Sequence, residues 1–464
     1  MAQYNQVTPE IVERLQAIAP GRVYTGADVN EDYSRDEMPI YGTRMPDVAI
    51  DAMSTEEISA IMKICNENHI PVTCRGAGTG LAGACTPIAG GVVICTMKMK
   101  KILSYDTDNF TVTVQPGVLL NDLAEDALKQ GLLYPPDPGE KFATLGGNVS
   151  TNAGGMRAVK YGATRDYVRS MTVVLPSGEV VKFGSSVSKT SSGYSLLNLM
   201  IGSEGTLGII TELTLKLIPA PKVTVSLIVP YESLPDAIAT VPQFKKAHMN
   251  PQALEFFERE ILISSEEYLG KAVFPRNVGG TDVGAYLLVT FDGETQEEID
   301  AIVEKAAELV LDAGALDVLV ADTPAKMKDA WAARSSFLEG IEEQTKLLDE
   351  CDVVVPTSRI ADFVGYVKSI EPEFGFAVKS FGHAGDGNLH IYTCANDMEL
   401  DEFKKQVDTF MTKIYDKATE MGGLVSGEHG IGMGKIEYLA RSVGETNMKL
   451  MEDIKKVFDP NLIL

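Results

Sequence analysis

Three glycine-rich runs in the first half of the chain most restrict the folds open to it. They are GAGTG at residues 76–80, LGGNVSTNAGG at 145–155 and GSEGTLG at 202–208. Glycine reaches backbone conformations that other residues avoid, and it leaves backbone N–H groups accessible. One such run is most simply a turn. Three runs in one region, two of them with Asn, Ser or Thr donors, indicate a large ligand with phosphates, a sugar and a flat ring threaded through backbone loops.

The first run follows a predicted strand at residues 70–75 and has Arg75 beside it. No helix-forming stretch comes next, because residues 81–84 lead through a turn to another strand. The run therefore does not match the dinucleotide-binding fingerprint of the Rossmann fold, which opens a helix. It predicts instead a concavity of backbone N–H groups that cradles a pyrophosphate.

The composition changes at residues 219–221, where two prolines flank an alanine and the glycine runs stop. Such a segment is stiff and extended, so it marks a domain boundary. The part before it is predicted to be α+β and to begin with a helix at residues 8–18, with Thr8 as N-cap and Pro9 at the first position.

Beyond the boundary, predicted strands and helices follow the order of a ferredoxin-like sheet. The strands are at residues 223–229, 253–258, 285–291 and 315–320, and the helices are at 233–246 and 297–313. A helix from about residue 400 to 422 precedes polar residues late in the chain. We therefore predict domains at 1–220 and 221–422, and a C-terminal segment at 423–464 that returns to the ligand site.

Histidines are rare and concentrated. The motif GHAGDGNLH at residues 382–390 holds two of five, and GEHGIG at 427–432 holds a third. The glycines favour His383 and His390 on either side of a tight β-turn. Two imidazoles with the Glu428 carboxylate would suit zinc, ferrous iron or manganese with open coordination positions. The alternative is a pair of loop histidines bonded to backbone, with an exposed Glu428–His429 pair.

The net charge of -24 argues against nucleic acid or an anionic membrane as the main partner. The six cysteines have no CxxC pair and no iron–sulfur spacing, so most are predicted to be buried thiols. The N-terminus lacks the features of a signal peptide, and nowhere do about 18 apolar residues run together. These features predict a soluble, cytoplasmic protein without integral membrane contact.

Taken in order, these motifs and PPDP at residues 135–138 resemble the FAD-linked oxidases and dehydrogenases of the vanillyl-alcohol oxidase superfamily. Within it, the chain is similar to the branch of glycolate oxidase D-subunits and D-lactate dehydrogenases. The resemblance spans nearly the whole chain. It implies an α+β fold with a two-subdomain FAD-binding domain of the vanillyl-alcohol oxidase type and a ferredoxin-like cap domain over the flavin.

The resemblance also implies the residues that bind FAD. Many relatives attach the flavin covalently through a His or Cys in the first loop, where this chain has Ala77 and Thr79, so the FAD is expected to be non-covalent. Cys85 is close in sequence and is the alternative attachment residue. The pyrophosphate would lie at Arg75, Gly76, Ala77, Gly78, Thr79 and Gly80, the flavin at Pro136, Asp137, Gly146, Gly147, Ser150, Asn152, Ala153 and Gly154, and the ribose, adenine or diphosphate at Glu204, Gly205, Gly208 and Ile209.

For the reaction, the resemblance implies a divalent metal bound by His383, His390 and Glu428, with His429 as the base. It also implies that Arg334 binds the substrate carboxylate with its fork of N–H groups. The alternative for Arg334 is a surface ion pair with a residue such as Glu339. Asn388 and Lys379 are further candidate contacts.

The function implied is oxidation of D-lactate, or a similar small D-2-hydroxy acid, to the 2-oxo acid, with electrons passed to an electron-transferring flavoprotein heterodimer. Alternatives are a glycolate oxidase subunit, a D-2-hydroxyglutarate dehydrogenase, or a flavin-binding subunit without catalysis, which would require a missing ligand or base. An alkylglycerone-phosphate synthase type would need basic residues for phosphate, whereas the segment around the histidines is rich in acids and glycine.

Overall fold

The computed structural model describes residues 4–464, and its contacts divide the chain into two compact units. The first unit comprises the chain up to Gly154, Ala163–Ala220 and Glu428–Leu464, and the second comprises Gly155–Gly162 and Pro221–Gly427. Nothing in the composition of the short segment Gly155–Gly162 indicates that it belongs to the second unit. The division into domains at 1–220, 221–422 and 423–464 stays a prediction.

Seven of the fourteen helices in the described part of the chain begin at a Ser or Thr whose side chain caps the first turn. Thr8 Oγ1 accepts from Ile11 N–H, and Pro9 takes the first helical position, so the predicted N-terminal helix is confirmed. The helices are α1 (Pro9–Ile18), α2 (Thr55–Glu67), α3 (Leu120–Lys129), α4 (Leu145–Thr151), α5 (Ala158–Tyr161), α6 (Leu196–Met200), α7 (Leu234–Lys246), α8 (Arg259–Leu269), α9 (Gln296–Asp312), α10 (Pro324–Ser335), α11 (Phe337–Gln344), α12 (Ile360–Ile370), α13 (Leu400–Glu420) and α14 (Ile436–Phe458), the last interrupted at Gly444.

The first unit contains a four-stranded sheet, a five-stranded sheet and a two-stranded ladder. Its strands are β1 (Val23–Thr25), β2 (Val48–Asp51), β3 (Val72–Arg75), β4 (Val92–Cys95), β5 (Ile102–Asp106), β6 (Thr111–Val114), β7 (Leu132–Leu133), β8 (Val168–Val174), β9 (Val180–Gly184), β10 (Ile209–Lys216) and β11 (Ile218–Pro219). The order β1-β2-β4-β3 has a parallel core of β2, β4 and β3. The second sheet, β5-β6-β10-β8-β9, is antiparallel.

The second unit is built on a seven-stranded antiparallel sheet in the order β17-β12-β16-β13-β19-β20-β18. Along the chain, strands β12, β13, β16 and β17 and helices α7 and α9 follow the β-α-β-β-α-β order of a ferredoxin-like sheet, which confirms that prediction. Its strands, with the hairpin β14–β15, are β12 (Val223–Tyr231), β13 (Ala253–Glu258), β14 (Asn277–Val278), β15 (Thr281–Asp282), β16 (Ala285–Gly293), β17 (Leu319–Ala321), β18 (Leu347–Val354), β19 (Ala377–His383) and β20 (Asn388–Ala395).

Two local predictions were wrong. The second glycine run is not a loop throughout, because residues 145–151 form α4, whose N-cap Thr144 accepts from Gly147 N–H at 3.2 Å. Glycine is needed in this helix, since a Cβ at Gly146 would lie 2.6 Å from Pro116 Cβ. The strand predicted at 315–320 begins only at Leu319, because residues before it close helix α9, with Ala315 N–H bonded to the Val310 carbonyl.

Within residues 4–464, no helix is both long enough and apolar enough to cross a bilayer.

Candidate functional site

The first glycine run leaves β3 and packs against the start of α4. A Cβ at Gly76 would lie 2.3 Å from Thr144 Oγ1, and one at Gly78, which has a φ of +83°, would overlap the Arg75 guanidinium. These approaches require glycine at both positions. Two distant glycine runs are thereby brought together around one cavity.

That cavity lies in the first unit and measures about 1140 Å³ counted to its open mouth. Many of the predicted FAD-binding residues line it, namely residues 76–80 of the first run, Gly146, Gly147, Ser150 and Ala153 of the second, and Glu204 with Gly205 of the third. Glu428 and His429 lie on its wall as well.

Other predicted residues support the cavity from behind. Arg75 donates from Nη1 to the Arg35 carbonyl at 2.6 Å, and its guanidinium lies over the Tyr33 ring. Asn152 ends α4 in the left-handed conformation and accepts from Arg165 N–H. Within residues 4–464, seven of the predicted FAD-binding residues do not line the cavity wall, namely Arg75, Pro136, Asp137, Asn152, Gly154, Gly208 and Ile209.

Sequence reasoning missed several polar residues on the wall, among them Asp36 and Asn148. Asp36 accepts from Gly83 N–H at 2.6 Å and ties the N-terminal segment to the turn that follows the first glycine run. Asn148 is buried, and within residues 4–464 its Nδ2 has no hydrogen-bond partner. A buried donor without a partner is costly, so its presence on the wall fits a polar ligand. The residues therefore fit a large, phosphate-bearing cofactor.

The loop after His429 is held by Glu204. The carboxylate accepts from Ile431 N–H at 2.6 Å through Oε1 and from Gly432 N–H at 2.9 Å through Oε2. The next glycines pack closely on the same unit, since a Cβ at Gly432 would lie 2.0 Å from the Ala82 carbonyl oxygen. The loop that carries His429 is therefore packed closely against Glu204 and Ala82.

In the second unit, His383 and His390 flank the β19–β20 turn, as predicted. Phe381 pairs with His390 and His383 with Asn388, which places both imidazoles on one face of the sheet. Both histidines are buried, and their Nε2 atoms are 3.5 Å apart. Two nitrogens each 2.0–2.1 Å from one tetrahedral metal ion would lie about 3.4 Å apart.

Each imidazole has a buried carboxylate behind it. His383 Nδ1 lies 2.8 Å from Glu255 Oε1, and His390 Nδ1 lies 3.1 Å from Glu350 Oε1. The carboxylates at Nδ1 favour the tautomer that carries its proton there, so Nε2 is the atom of each ring that would bind a metal. Metal-binding histidines are commonly oriented by such carboxylates. The donor set therefore fits a divalent metal, and the alternative of loop histidines bonded to backbone does not describe these contacts.

Arg334 is also buried and shares the Glu255 carboxylate. Its Nε and Nη2 lie 2.8 and 2.6 Å from Glu255 Oε2. Although burial alone raises the pKa of the Glu255 carboxyl, the charges and hydrogen bonds of His383 and Arg334 hold that pKa below its ordinary value. The partner of Arg334 is therefore this interior carboxylate, and within residues 4–464 the alternative surface pair with Glu339 is not formed.

The two remaining candidates have partners within the second unit. Asn388 Nδ2 donates to Asp352 Oδ1 at 2.6 Å, and Lys379 Nζ donates to Ser264 Oγ at 3.0 Å. Asp352 also accepts from Gly427 N–H at 3.1 Å, directly before Glu428 in the chain. Sequence reasoning missed Glu255, Glu350 and Asp352; acidic residues inside the apolar runs ALEFFE and LLDECDVV were the available signal.

Comparisons with known families and proteins agree with this geometry. Residues 46–184 match the model of the FAD binding domain, and residues 220–464 match the C-terminal domain of FAD linked oxidases. The match to the FAD binding domain confirms the prediction of FAD.

Among curated relatives, a D-lactate dehydrogenase of Anaerostipes hadrus is 67% identical over 100% of this chain and 97% of that protein. Glycolate oxidase subunit GlcD of Bacillus subtilis (strain 168) is 37% identical over 99% and 96%. A D-2-hydroxyglutarate dehydrogenase of Stutzerimonas stutzeri (strain A1501) is 30% identical over 98% of each chain.

Solved structures share the fold at low identity. p-Cresol methylhydroxylase aligns with a TM-score of 0.79 at 19% identity, covering 100% of this chain and 98% of its own. Alkyldihydroxyacetonephosphate synthase aligns with a TM-score of 0.76 at 18% identity, covering 100% and 85%. These likenesses confirm the predicted vanillyl-alcohol oxidase type of fold. Together with the match over residues 220–464 and the relative at 67% identity, they lead to one conclusion: the chain belongs to the family of FAD-linked oxidases.

Proposed function

We propose that the protein oxidises D-lactate, or a similar small D-2-hydroxy acid, to the 2-oxo acid. The observation that carries this proposal is the 67% identity, along the whole chain, to a protein named D-lactate dehydrogenase. The buried cluster of His383, His390 and Arg334 supports it, because imidazoles and a guanidinium suit a hydroxyl and a carboxylate on adjacent carbons.

We propose that His383 and His390 bind one divalent metal through Nε2, and that Glu428 supplies the third protein ligand. The spacing of the two Nε2 atoms and the carboxylates behind Nδ1 support the histidines. Glu428 is proposed on the resemblance of its GEH motif. Such a set suits zinc, iron or manganese and leaves open coordination positions.

When bound, FAD supplies the hydride acceptor and the metal a Lewis acid for the hydroxyl oxygen. His429, as a neutral imidazole, takes the hydroxyl proton. Arg334 binds the substrate carboxylate. Because Glu255 engages the Nε and Nη2 side of the guanidinium, the Nη1–Nη2 edge is the one left to meet that carboxylate. Each turnover removes two electrons and two protons from the substrate.

We propose that the two electrons leave to an electron-transferring flavoprotein heterodimer. The cysteines support an external acceptor, since Cys65, Cys95, Cys351 and Cys394 are buried free thiols and their spacing provides no cluster site. The test is lactate-dependent reduction of the partner's flavin, together with co-purification from the native source. Fast turnover with oxygen and no co-purifying flavoprotein would show a simple oxidase.

Anaerobic bleaching of the flavin by a panel of 2-hydroxy acids tests the substrate. We expect D-lactate to bleach it fastest, glycolate and D-2-hydroxyglutarate more slowly, and the L-enantiomers not at all. Faster bleaching by glycolate or by D-2-hydroxyglutarate would assign the protein to that activity. No bleaching by any acid in metal-replete protein would show a flavin-binding subunit without catalysis.

A further inference from the structure

Glu204 lies in the third glycine run, and its side chain reaches the loop that carries His429. Its two carboxylate oxygens accept from the consecutive amides of Ile431 and Gly432. These amides follow His429 by two and three residues. One side chain therefore fixes the backbone directly after the proposed base.

Gly430 lies against the same carboxylate. A Cβ at this position would be 1.7 Å from Glu204 Oε1, and the φ of Gly430 is +85°. Any side chain here would force the loop and the carboxylate apart. The close approach shows that the loop is built around Glu204.

The backbone of Glu204 is strained. Its φ of +52° is left-handed, which is uncommon for a residue other than glycine and costs on the order of 1 kcal/mol. Its N–H is fixed by the Ser150 carbonyl of α4 at 2.8 Å. Glycine would adopt this conformation without strain, so the presence of Glu204 indicates that its side chain has a role here.

The charge of the carboxylate is matched locally. Burial raises the pKa of Glu204, and the amides of Gly432 and Ile431 and the buried Lys435 oppose that rise. Both oxygens are thus already engaged by protein donors on the cavity wall.

We propose that Glu204 is a positioning residue for His429, and that it acts by clamping residues 430–432 and not chiefly as a ligand of the ribose or adenine. This inference rests on the proposed function, in which His429 takes the hydroxyl proton. Loss of the clamp would misplace the imidazole while the FAD cavity keeps its other walls.

Glu204→Gln tests the clamp, because it keeps the shape but replaces one acceptor oxygen with an NH2 group that cannot accept from an amide. We expect unchanged FAD affinity, an unchanged KM for D-lactate, and single-turnover flavin reduction slowed by roughly tenfold or more. Weaker FAD binding with a wild-type rate in the FAD-saturated variant would make Glu204 a cofactor ligand and overturn the proposal. Glu212→Gln, on strand β10, is the matched control and should behave as wild type.

Hydrogen exchange in the FAD-loaded protein gives a readout that needs no substrate. The amides of Ile431 and Gly432 should be protected in the wild type and exchange faster in Glu204→Gln. Unchanged protection would overturn the clamp even if D-lactate is oxidised. If D-lactate does not reduce even the wild-type protein, but Glu204→Gln loses the protection of these amides, the clamp is upheld and the proposed function is rejected.

A double-mutant cycle separates the clamp from general damage. Gly430→Ala should slow flavin reduction as Glu204→Gln does, and the double variant should be no slower than the worse single variant, since both release the same loop. Additive effects would mean that the two residues act independently, contrary to the proposal.

Discussion

The Nε2 atoms of His383 and His390 lie 3.5 Å apart, on one face of the hairpin β19–β20. Glu255 and Glu350 stand behind the two rings and hold their Nδ1 atoms. Four strands, β13, β18, β19 and β20, are needed to assemble this group. The two Nε2 atoms are close enough to bind one metal ion, and this closeness is the basis of the metal proposal.

The purified protein should contain about one divalent metal ion per chain, and His383→Ala or His390→Ala should lose it. Each variant removes one imidazole ligand, and FAD should stay bound because its cavity is formed in the first unit. Elemental analysis with flavin absorbance measures both. His248→Ala, an exposed histidine of the same unit, is the control. Full metal content in both His383→Ala and His390→Ala would place the metal elsewhere.

His429→Asn should slow flavin reduction by D-lactate on the order of a hundredfold, the loss expected for a general base. Substrate affinity should change little, since carboxylate binding is assigned to Arg334. Rapid-reaction kinetics at several D-lactate concentrations separate the two quantities. Reduction of the variant's flavin at the wild-type rate would show that another residue is the base.

Arg334→Ala should chiefly weaken substrate binding, but it would also leave the Glu255 carboxylate buried without its cation, at a cost of about 3–5 kcal/mol in stability. Arg334→Lys is therefore the better variant, because it keeps the charge and loses the planar fork. We expect its KM for D-lactate to rise roughly tenfold or more with little loss of kcat. An unchanged KM would mean that Arg334 serves only Glu255.

The bound FAD should be released when the protein is precipitated with acid. Cys74 and Cys85 both lie on the cavity wall, and burial raises the pKa of the Cys74 thiol to about 12 and that of the Cys85 thiol to about 11, so little thiolate forms near neutral pH. The yellow colour should therefore appear in the supernatant. Colour that stays in the denatured pellet, and moves to the supernatant in Cys85→Ser, would show a covalent link.

The Arg22–Glu57 pair should make stability depend on pH. The hydrogen bond from Arg22, at 2.6 Å, holds the pKa of Glu57 below its ordinary value. Because the folded-state pKa is the lower one, this stabilisation is present above the unfolded-state pKa and is lost as the pH falls through the folded-state pKa. Glu57→Gln should thus cost up to about 1 kcal/mol near neutral pH and less in acid.

Thermal unfolding at neutral pH and at acidic pH measures this difference, and Glu56→Gln, at an exposed neighbouring residue, is the control. An equal destabilisation at both would mean that the ionised pair contributes nothing.

Local patterns predicted most of the elements but not how distant strands assemble the site. The tight turn between His383 and His390 and the ferredoxin-like order could be read from glycine spacing and periodicity. The pairing of His383 with Glu255 depends on the register of β13 against β19, 128 residues apart in sequence, which no local pattern encodes. Helix α4 was missed because it contains two glycines, which are poor helix formers, and one of them, Gly146, is required by close contact with Pro116.

Single-turnover, anaerobic flavin reduction by D-lactate tests the proposed metal-assisted oxidation when it is measured with metal-replete and metal-depleted protein and with deuterium at the carbon that bears the hydroxyl. We predict rapid reduction in the metal-replete protein, a several-fold slower rate with the deuterated acid because hydride leaves that carbon, and loss of reduction without metal while FAD stays bound. Equal rates in metal-replete and verified metal-free protein would remove the metal from the reaction, and no reduction by D-lactate in either would show that D-lactate is not the substrate.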